Sequence, residues 1–533
     1  MIPGRHGLVL VFAMGGAAAV TSLLACGSSS GGGGGDGGAP DASTEAGADA
    51  AVDSGASDAN MKDGGGTDGG TDSSIDGGDG GGAPPCTLPR GADGGAVQIG
   101  SGEECVLSSS GGLGSPYAVT SSMTIAAAPC GGVYDAPYGI TVSGNGTVLT
   151  VEPGVTIAFG PVQQLLVTDG AGIVVGAPSG DGGACSDVLF TSDSPTPTAG
   201  IWDGVLVQAP MAADGGVTTA GSSISNLIVQ YGGYNGNQYF NSYTGFASFA
   251  VDGLTAGDFT LQLSNVTLSN NGAVPLVFVG NHTGPAPGSS LTITDWASGA
   301  DSLAIYPDAA GMLSNIKLPV SSGNTSGRVH LTTAGDGTDT IDTTQTWPSV
   351  APWSYTMAEP AGHYVIDTGG DTGTLNVNAA LTIASPNTLL VGASLQVEID
   401  AAETGAGSLS ASNVTFQSLP GASPWQGMEF HYPGWKSSTL SNVTFESVGP
   451  GQDEGCYPET AQGPPTGGFL LFYSGNVCED APPWSNLSFP GLTAQYAILP
   501  WYVTGGGVTT LAADNPNASI YTCPTSVSGT CQK

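Results

Sequence analysis

The chain has 533 residues, of which 88 are Gly and only 10% are charged, and its formal net charge is −37. With 7 Lys and Arg against 44 Asp and Glu, it lacks the clustered cations that grip nucleic-acid phosphates or anionic lipid. Acidity of this degree keeps a Gly-rich surface soluble, and it leaves cationic partners such as divalent ions open.

Residues 1–25 read as an export signal. Arg5 supplies the basic start, and the apolar run from Leu8 to Val20 is too short and too broken by Gly for a membrane span. It ends in Leu23-Leu24-Ala25-Cys26, which resembles the lipobox of bacterial lipoproteins. The resemblance implies that Cys26 becomes the first residue of the mature chain and carries the lipid. No Asp follows Cys26, which in that family implies sorting to the outer membrane. Several acyl groups would hold the chain stably, whereas one alone binds only marginally.

Gly and Asp dominate the stretch 27–85, where large apolar side chains are almost absent. So little apolar surface cannot offset the entropy lost on ordering. The segment is predicted to be a disordered tether reaching roughly 40 Å as a Gly-rich coil. Its Asp-Gly-Gly runs lack the apolar positions on which calcium-binding repeats stack. Beyond Cys26 there are eight cysteines: Cys86, Cys105, Cys130, Cys185, Cys456, Cys478, Cys523 and Cys531. An even number in an exported chain points to disulfides, whose connectivity sequence does not fix. Local closure favours Cys86–Cys105, Cys130–Cys185, Cys456–Cys478 and Cys523–Cys531. No CxxC pair and no His pair at zinc-finger spacing occurs.

Residues 86–137 carry two short β-like runs. They are predicted to cap the open end of a repeat body, a small separate domain being the alternative. The stretch 138–233 is a succession of short β-rich runs, each closed by Gly, Pro, Asp or Asn. Leu149, Val151, Val155, Ile157 and Phe159 alternate with smaller or polar residues, the period of a half-buried strand, and Pro153-Gly154 breaks the run. Apolar runs recur around Leu149, Leu166, Leu189, Leu206 and Ile228. This spacing suits coils of a parallel β-helix; an antiparallel sandwich with hairpin turns is the alternative.

Residues 234–362 are less regular. LQLSNVTLSNNG (261–272), LVFVG (276–280), LTITDWASG (291–299) and LSNIKLPV (313–320) read as further coils. The segment 340–361, with Trp347, Trp353 and Tyr355, reads as a bulky lid or crossover. A second module spans 364–449. Aligning Tyr138 with Tyr364 lays LTVEPGVTIA (149–158) over LNVNAALTIA (375–384), and DVLFTS (187–192) over NVTFQS (413–418). Trp202 then matches Trp425 after a small slip, and SISNLIVQYGG (223–233) matches TLSNVTFESVG (439–449). Tandem duplication suits a solenoid, because added coils extend the stack. Ser-Asn followed by an aliphatic residue recurs, at Asn226, Asn265, Asn315, Asn413, Asn442 and Asn486. Asn tolerates left-handed backbone at a tight bend, so stacked coils would set some of these side chains in a ladder. Residues 450–533, rich in Cys and Pro, are predicted to form a disulfide-braced C-terminal cap.

The runs LTVEPGVTIAFG, DVLFTSD, WDGVLV and SISNLIVQYGG resemble bacterial surface proteins of the parallel β-helix, pectin-lyase-like class. The resemblance covers 138–233 and 340–449 well and 261–320 loosely. It departs at Asp203 and Gln426, where that class usually has Gly. It implies an all-β, right-handed parallel β-helix. It does not imply an activity, since one fold hosts many functions.

Enzymes of this fold cut polysaccharides, with converging carboxylates in hydrolases and an Arg or Lys base beside calcium-binding Asp in lyases. Outside the signal and linker the cations are Arg90, Lys317, Arg328, Lys436 and Lys533. Arg328-Val-His330, ahead of Asp336, Asp339 and Asp342, is the nearest approach to a lyase constellation; the same three Asp could hold calcium or form a solvated turn. His282, His330, His363 and His431 are scattered, and no HExxH or GxSxG motif occurs. Trp202, Trp353, Trp425 and Tyr432 could line a sugar face, but packing is the commoner fate of such residues. No catalytic residue, metal site or cofactor is expected. The sequence predicts a lipid-anchored protein of the outer membrane or cell surface of a Gram-negative bacterium. It would be a non-enzymatic structural, adhesive or glycan-binding module, with a polysaccharide lyase or hydrolase as the alternative. The expected partners are the membrane, through the anchor, and a polysaccharide or cell-surface protein, not nucleic acid.

Overall fold

The computed structural model of the chain describes residues 105–107, 114–127, 132–176, 187–209, 221–234, 247–253, 259–272, 274–294, 302–317, 327–331, 338–351, 353–357, 374–392, 395–421, 424–425, 427–431, 433–448, 468–473, 482–492, 496–501 and 505–520. The chain divides into two compact units, Met1–Gly77 and Gly78–Lys533, and every described residue belongs to the second. The signal, Cys26, the tether, Asp336, Tyr432 and all cysteines other than Cys105 lie outside the described residues. Among the described residues no helix is long and apolar enough to cross a membrane.

Alternating side chains set the local structure. In Val148–Val151 and Gln164–Val167, Leu149, Val151, Leu165 and Val167 are fully buried while the residues between them are half-exposed. Each such side chain contributes about 1.5–3 kcal/mol on burial. A short strand cannot bury this face alone, so it needs a neighbour above and below.

The chain supplies those neighbours by circling three faces. Val148–Val151 lies on the first, Thr156–Phe159 on the second and Gln164–Val167 on the third. Gly172–Val175 then returns to the first face, parallel to Val148–Val151. Every strand pair among the described residues is parallel, and two sheets reach twelve strands. This topology is consistent with a parallel β-helix. The third face is one unbroken twelve-stranded sheet from Tyr117–Val119 to Thr444–Glu446. The first two faces join in the other twelve-stranded sheet, because Ser223–Gln230 and Phe259–Ser269 each run across the corner between them. They resume beyond Thr338 as separate six- and four-stranded sheets.

The third face measures the coil. Its register links Tyr117, Ile140, Leu165, Val205, Phe249, Leu276, Leu303, Val329, Tyr355, Leu389, Phe416 and Phe445. Most steps are nearly equal, as from Leu276 to Leu303 and from Leu303 to Val329. Those into Val205, Phe249 and Leu389 are longer. Apolar runs recur in the sequence at shorter intervals than one coil, because successive runs sit on different faces: Leu166 is on the third and Leu189 on the second.

Three expectations are corrected by this register. Among the described residues, paired strands run from Cys105 to Trp501, so chain assigned to caps outside 138–449 contributes to the stack. The strands before Tyr138 are short, whereas GFLLFY (468–473) and YAILPW (496–501) are apolar runs of ordinary strand length. The stretch 340–361 is not a lid: Gln345–Trp347 and Ser354–Met357 are coil strands, with Trp347 and Trp353 buried. Within LSNIKLPV, Leu313 to Asn315 close a 3₁₀ helix, Pro307–Asn315, before the short strand Ile316–Lys317. The two modules also fall out of phase. Leu149 and Leu375 share the first face, but Val188–Ser192 is on the second and Val414–Ser418 on the third, since Ser408–Ser412 intervenes.

The core is apolar and aromatic. Phe159 and Trp202 stack at 4.5 Å and 3°, and Trp202 Nε1 donates to the Gln230 carbonyl at 2.7 Å. Further along, Phe416, Phe445 and Phe489 stack at 5.4 and 5.3 Å. The third face is apolar on its outer side too. Leu206, Ala250, Val277 and Ala304 are register neighbours in a second buried cluster, the continuous apolar pattern of a sheet buried on both sides.

The left-handed bends form as the motif predicts, but among the described residues only one pair of these Asn side chains bonds directly. Asn226, Asn265, Asn413, Asn442 and Asn486 all have φ between +49° and +55°. Asn265 Nδ2 donates to Asn226 Oδ1 at 2.9 Å across two coils. Asn315 instead ends the 3₁₀ helix and donates to the Pro285 carbonyl.

Candidate functional site

Among the described residues, the strand ladders of the first and second faces are interrupted between Ile316–Lys317 and the strands starting at Thr338. The helix Pro307–Asn315 packs there, against Thr283–Pro285 on one side and Thr338–Ile341 and Gln345–Trp347 on the other. Pro at the start of the helix presets its backbone angle. The Pro307 carbonyl accepts from Gln345 Nε2 and Trp347 Nε1, both at 3.1 Å, and the amide of Gly311 donates to Gln345 Oε1 at 2.9 Å. The first turn of the helix is thereby pinned.

That turn presents Asp308, whose side chain is 1% exposed. Its Oδ1 accepts from the amides of Asp342 and Thr343 and from Thr343 Oγ1 at 3.2, 3.4 and 3.0 Å. Its Oδ2 accepts no hydrogen bond and lies 3.1 Å from His282 Nε2. The same nitrogen is 3.7 Å from Asp342 Oδ1. His282 is one-quarter exposed and Asp342 60% exposed, so the group opens outward on one side. His282 has φ +56°, a conformation uncommon for a bulky residue. Burial pushes the Asp308 carboxyl above the usual carboxylate range, with His282 and Thr343 pulling the other way. One donor atom from each of His282, Asp308 and Asp342 lies within 4.8 Å of the other two.

A second polar group sits on the first face. Asn376, Glu398 and Glu429 are register neighbours on three adjacent strands, so their side chains share one side of the sheet. His431, just beyond Gly427–Phe430, places Nε2 3.7 Å from both Glu398 Oε2 and Glu429 Oε1, and Nδ1 4.0 Å from Glu403 Oε1. Burial disfavours charge on this imidazole, but the carboxylates of Glu398, Glu429 and Glu403 outweigh it and raise its pKa. Gln396 Nε2 donates to Glu429 Oε2 at 3.0 Å. Asp400 nearby is different in kind. It is fully buried and accepts from Thr404, Gly405 and Gly407, which makes it the brace of a turn.

The residues singled out from sequence are distributed otherwise. Asp342 joins His282 and Asp308, not a lyase-like pair with Arg328. Arg328 and His330 are on the third-face strand Arg328–Leu331, and His330 is 1% exposed. Asp339 is in register with Leu375. Trp202, Trp353 and Trp425 are core residues, 0 to 3% exposed, so they form no sugar-binding face. Asp308, Glu398, Glu403 and Glu429 were not singled out. Their signal was spacing: Asp308 follows His282, and Asp342 follows Asp308, by about the length of one coil. Glu398 and Glu429 are likewise one coil apart, strand against strand. Comparison of the chain with family models, curated proteins and solved structures finds no match.

Proposed function

We propose that this chain is an exported, lipid-anchored surface protein whose right-handed parallel β-helix is a rigid, non-enzymatic module for binding an extended polymer such as a polysaccharide. The observation that carries this reading is the unbroken third-face sheet of twelve parallel strands. It keeps the coils in one register along the body, so that polar side chains on another face repeat strand by strand, as Asn376, Glu398 and Glu429 do on the first face. Cys26 would carry the lipid, and residues 27–85 would hold the body off the membrane. Disulfides would brace the two ends. Disulfide bonding of Cys105 accords with an oxidising compartment.

A second reading rests on one observation. Glu398 and Glu429 stand in register on neighbouring strands beside His431, and paired carboxylates are what glycoside hydrolysis needs. One experiment separates the two. The full chain is mixed with a polysaccharide panel, and retention on each polymer is followed together with new reducing ends. Retention without cleavage supports the binding module. Cleavage that disappears in Glu429→Gln supports the hydrolase. Neither retention nor cleavage on any polymer would sink both. Anchoring is tested by palmitate labelling, which Cys26→Ala should abolish; persistent labelling refutes the lipoprotein assignment.

A further inference from the structure

The geometry points to a site for one divalent first-row transition-metal ion, with zinc as the reference ion, held by His282 Nε2, Asp308 Oδ2 and Asp342 Oδ1. A tetrahedral zinc ion with nitrogen and oxygen ligands keeps its donor atoms about 3.4 Å apart. The separations from His282 Nε2, 3.1 Å to Asp308 and 3.7 Å to Asp342, bracket that value. All three donor atoms fall within 4.8 Å of one another.

An independent observation also calls for a cation. The Asp308 side chain is almost wholly enclosed, three donors saturate its Oδ1, and its Oδ2 receives no hydrogen bond. A buried carboxylate oxygen without a donor is costly. His282 Nε2 lies 3.1 Å away without forming a hydrogen bond to this oxygen, and any proton it carries there could serve only one of the two carboxylates it faces. An ion bound by all three groups satisfies the enclosed oxygen and removes the repulsion between the carboxylates. The donors are also held in place, as a metal site requires: Thr343 and two amides orient Asp308, and Gln345 and Trp347 fix the helix that carries it.

Donor chemistry selects the class of ion. Calcium takes six to eight oxygens, whereas an imidazole with carboxylates suits zinc and its neighbours. Three protein ligands leave a fourth position for water, on the side opened by Asp342. The ligands come from three successive coils, one each, at the place where, among the described residues, the first two faces lose their strand ladder. The ion would therefore clasp the stack across its interruption, and metal binding would stabilise the fold by linkage.

The test uses the full chain with free thiols blocked, stripped with a chelator and titrated with zinc against a metallochromic dye, with thermal unfolding in parallel. We expect one zinc per chain, retained in excess magnesium or calcium, and a higher Tm on binding. His282→Gln and Asp342→Asn should each weaken binding roughly tenfold or more and abolish the rise in Tm. Asp342 is exposed, so its variant keeps the test valid if Asp308→Asn fails to fold. Absence of stoichiometric binding would overturn the assignment. So would unchanged affinity in both variants relative to the unsubstituted chain, or displacement of zinc by calcium.

Discussion

Asn265 offers a clean test of how the coil corners are built. Its φ is +55°, its amide donates to Ser290 Oγ at 2.7 Å and its Nδ2 to Asn226 Oδ1 at 2.9 Å. Replacement by Ala removes the side-chain bond, worth about 0.5–1 kcal/mol at an exposed position. It also puts an ordinary residue in the left-handed region, at about 1–2 kcal/mol. Replacement by Gly removes the same bond but adopts the left-handed angle freely, with about 0.5–1 kcal/mol of added unfolded-state entropy. Asn265→Ala should therefore lose about 2 kcal/mol, and Asn265→Gly about half of that. The assay is urea unfolding followed by Trp fluorescence, with midpoints compared at equal slope. If the Ala variant were as stable as the Gly variant, backbone handedness would not be why Asn stands at this corner.

His431 should make stability depend on pH. Its pKa is raised above the ordinary 6.5 in the folded chain. Its contribution is thus fully present below about pH 6.5 and is lost as pH rises through the folded pKa. His431→Gln should lower the urea midpoint most at pH 5–6 and progressively less above pH 7; a constant difference across this range would refute the pairing with Glu398 and Glu429. Gly176, at φ +59°, brings its backbone against the Ser225 carbonyl, where a Cβ has no room. Gly176→Ala should cost about 2–3 kcal/mol through strain and overpacking, and an unchanged midpoint would show that the corner yields. Trp202→Phe should cost about 1–3 kcal/mol, because the Gln230 carbonyl loses its buried donor; a loss below 0.5 kcal/mol by the same assay (about the effect of a neutral surface change) would mean that water replaces it.

The sequence by itself determined the all-β class, the alternation of Leu149, Val151, Ile157 and Phe159, and the corner role of Asn226, Asn265, Asn413, Asn442 and Asn486. These are local matters: side-chain period and backbone handedness are set by each residue and its near neighbours. Register and coil length were decided only in three dimensions. Apolar runs on different faces look alike in one dimension, so Leu166 and Leu189 read as equivalent although they lie on different sheets. The interruption at Pro307–Asn315 was hidden for the same reason, since Leu313 and the following Ile316 fit a strand pattern as well as a helix. The two polar groups followed from register alone. His282, Asp308 and Asp342 are remote in sequence, and only stacking at about one coil per ligand brings an imidazole and two carboxylates together. Once the coil length is known that spacing can be read directly, because in a solenoid residues one coil apart become neighbours in space.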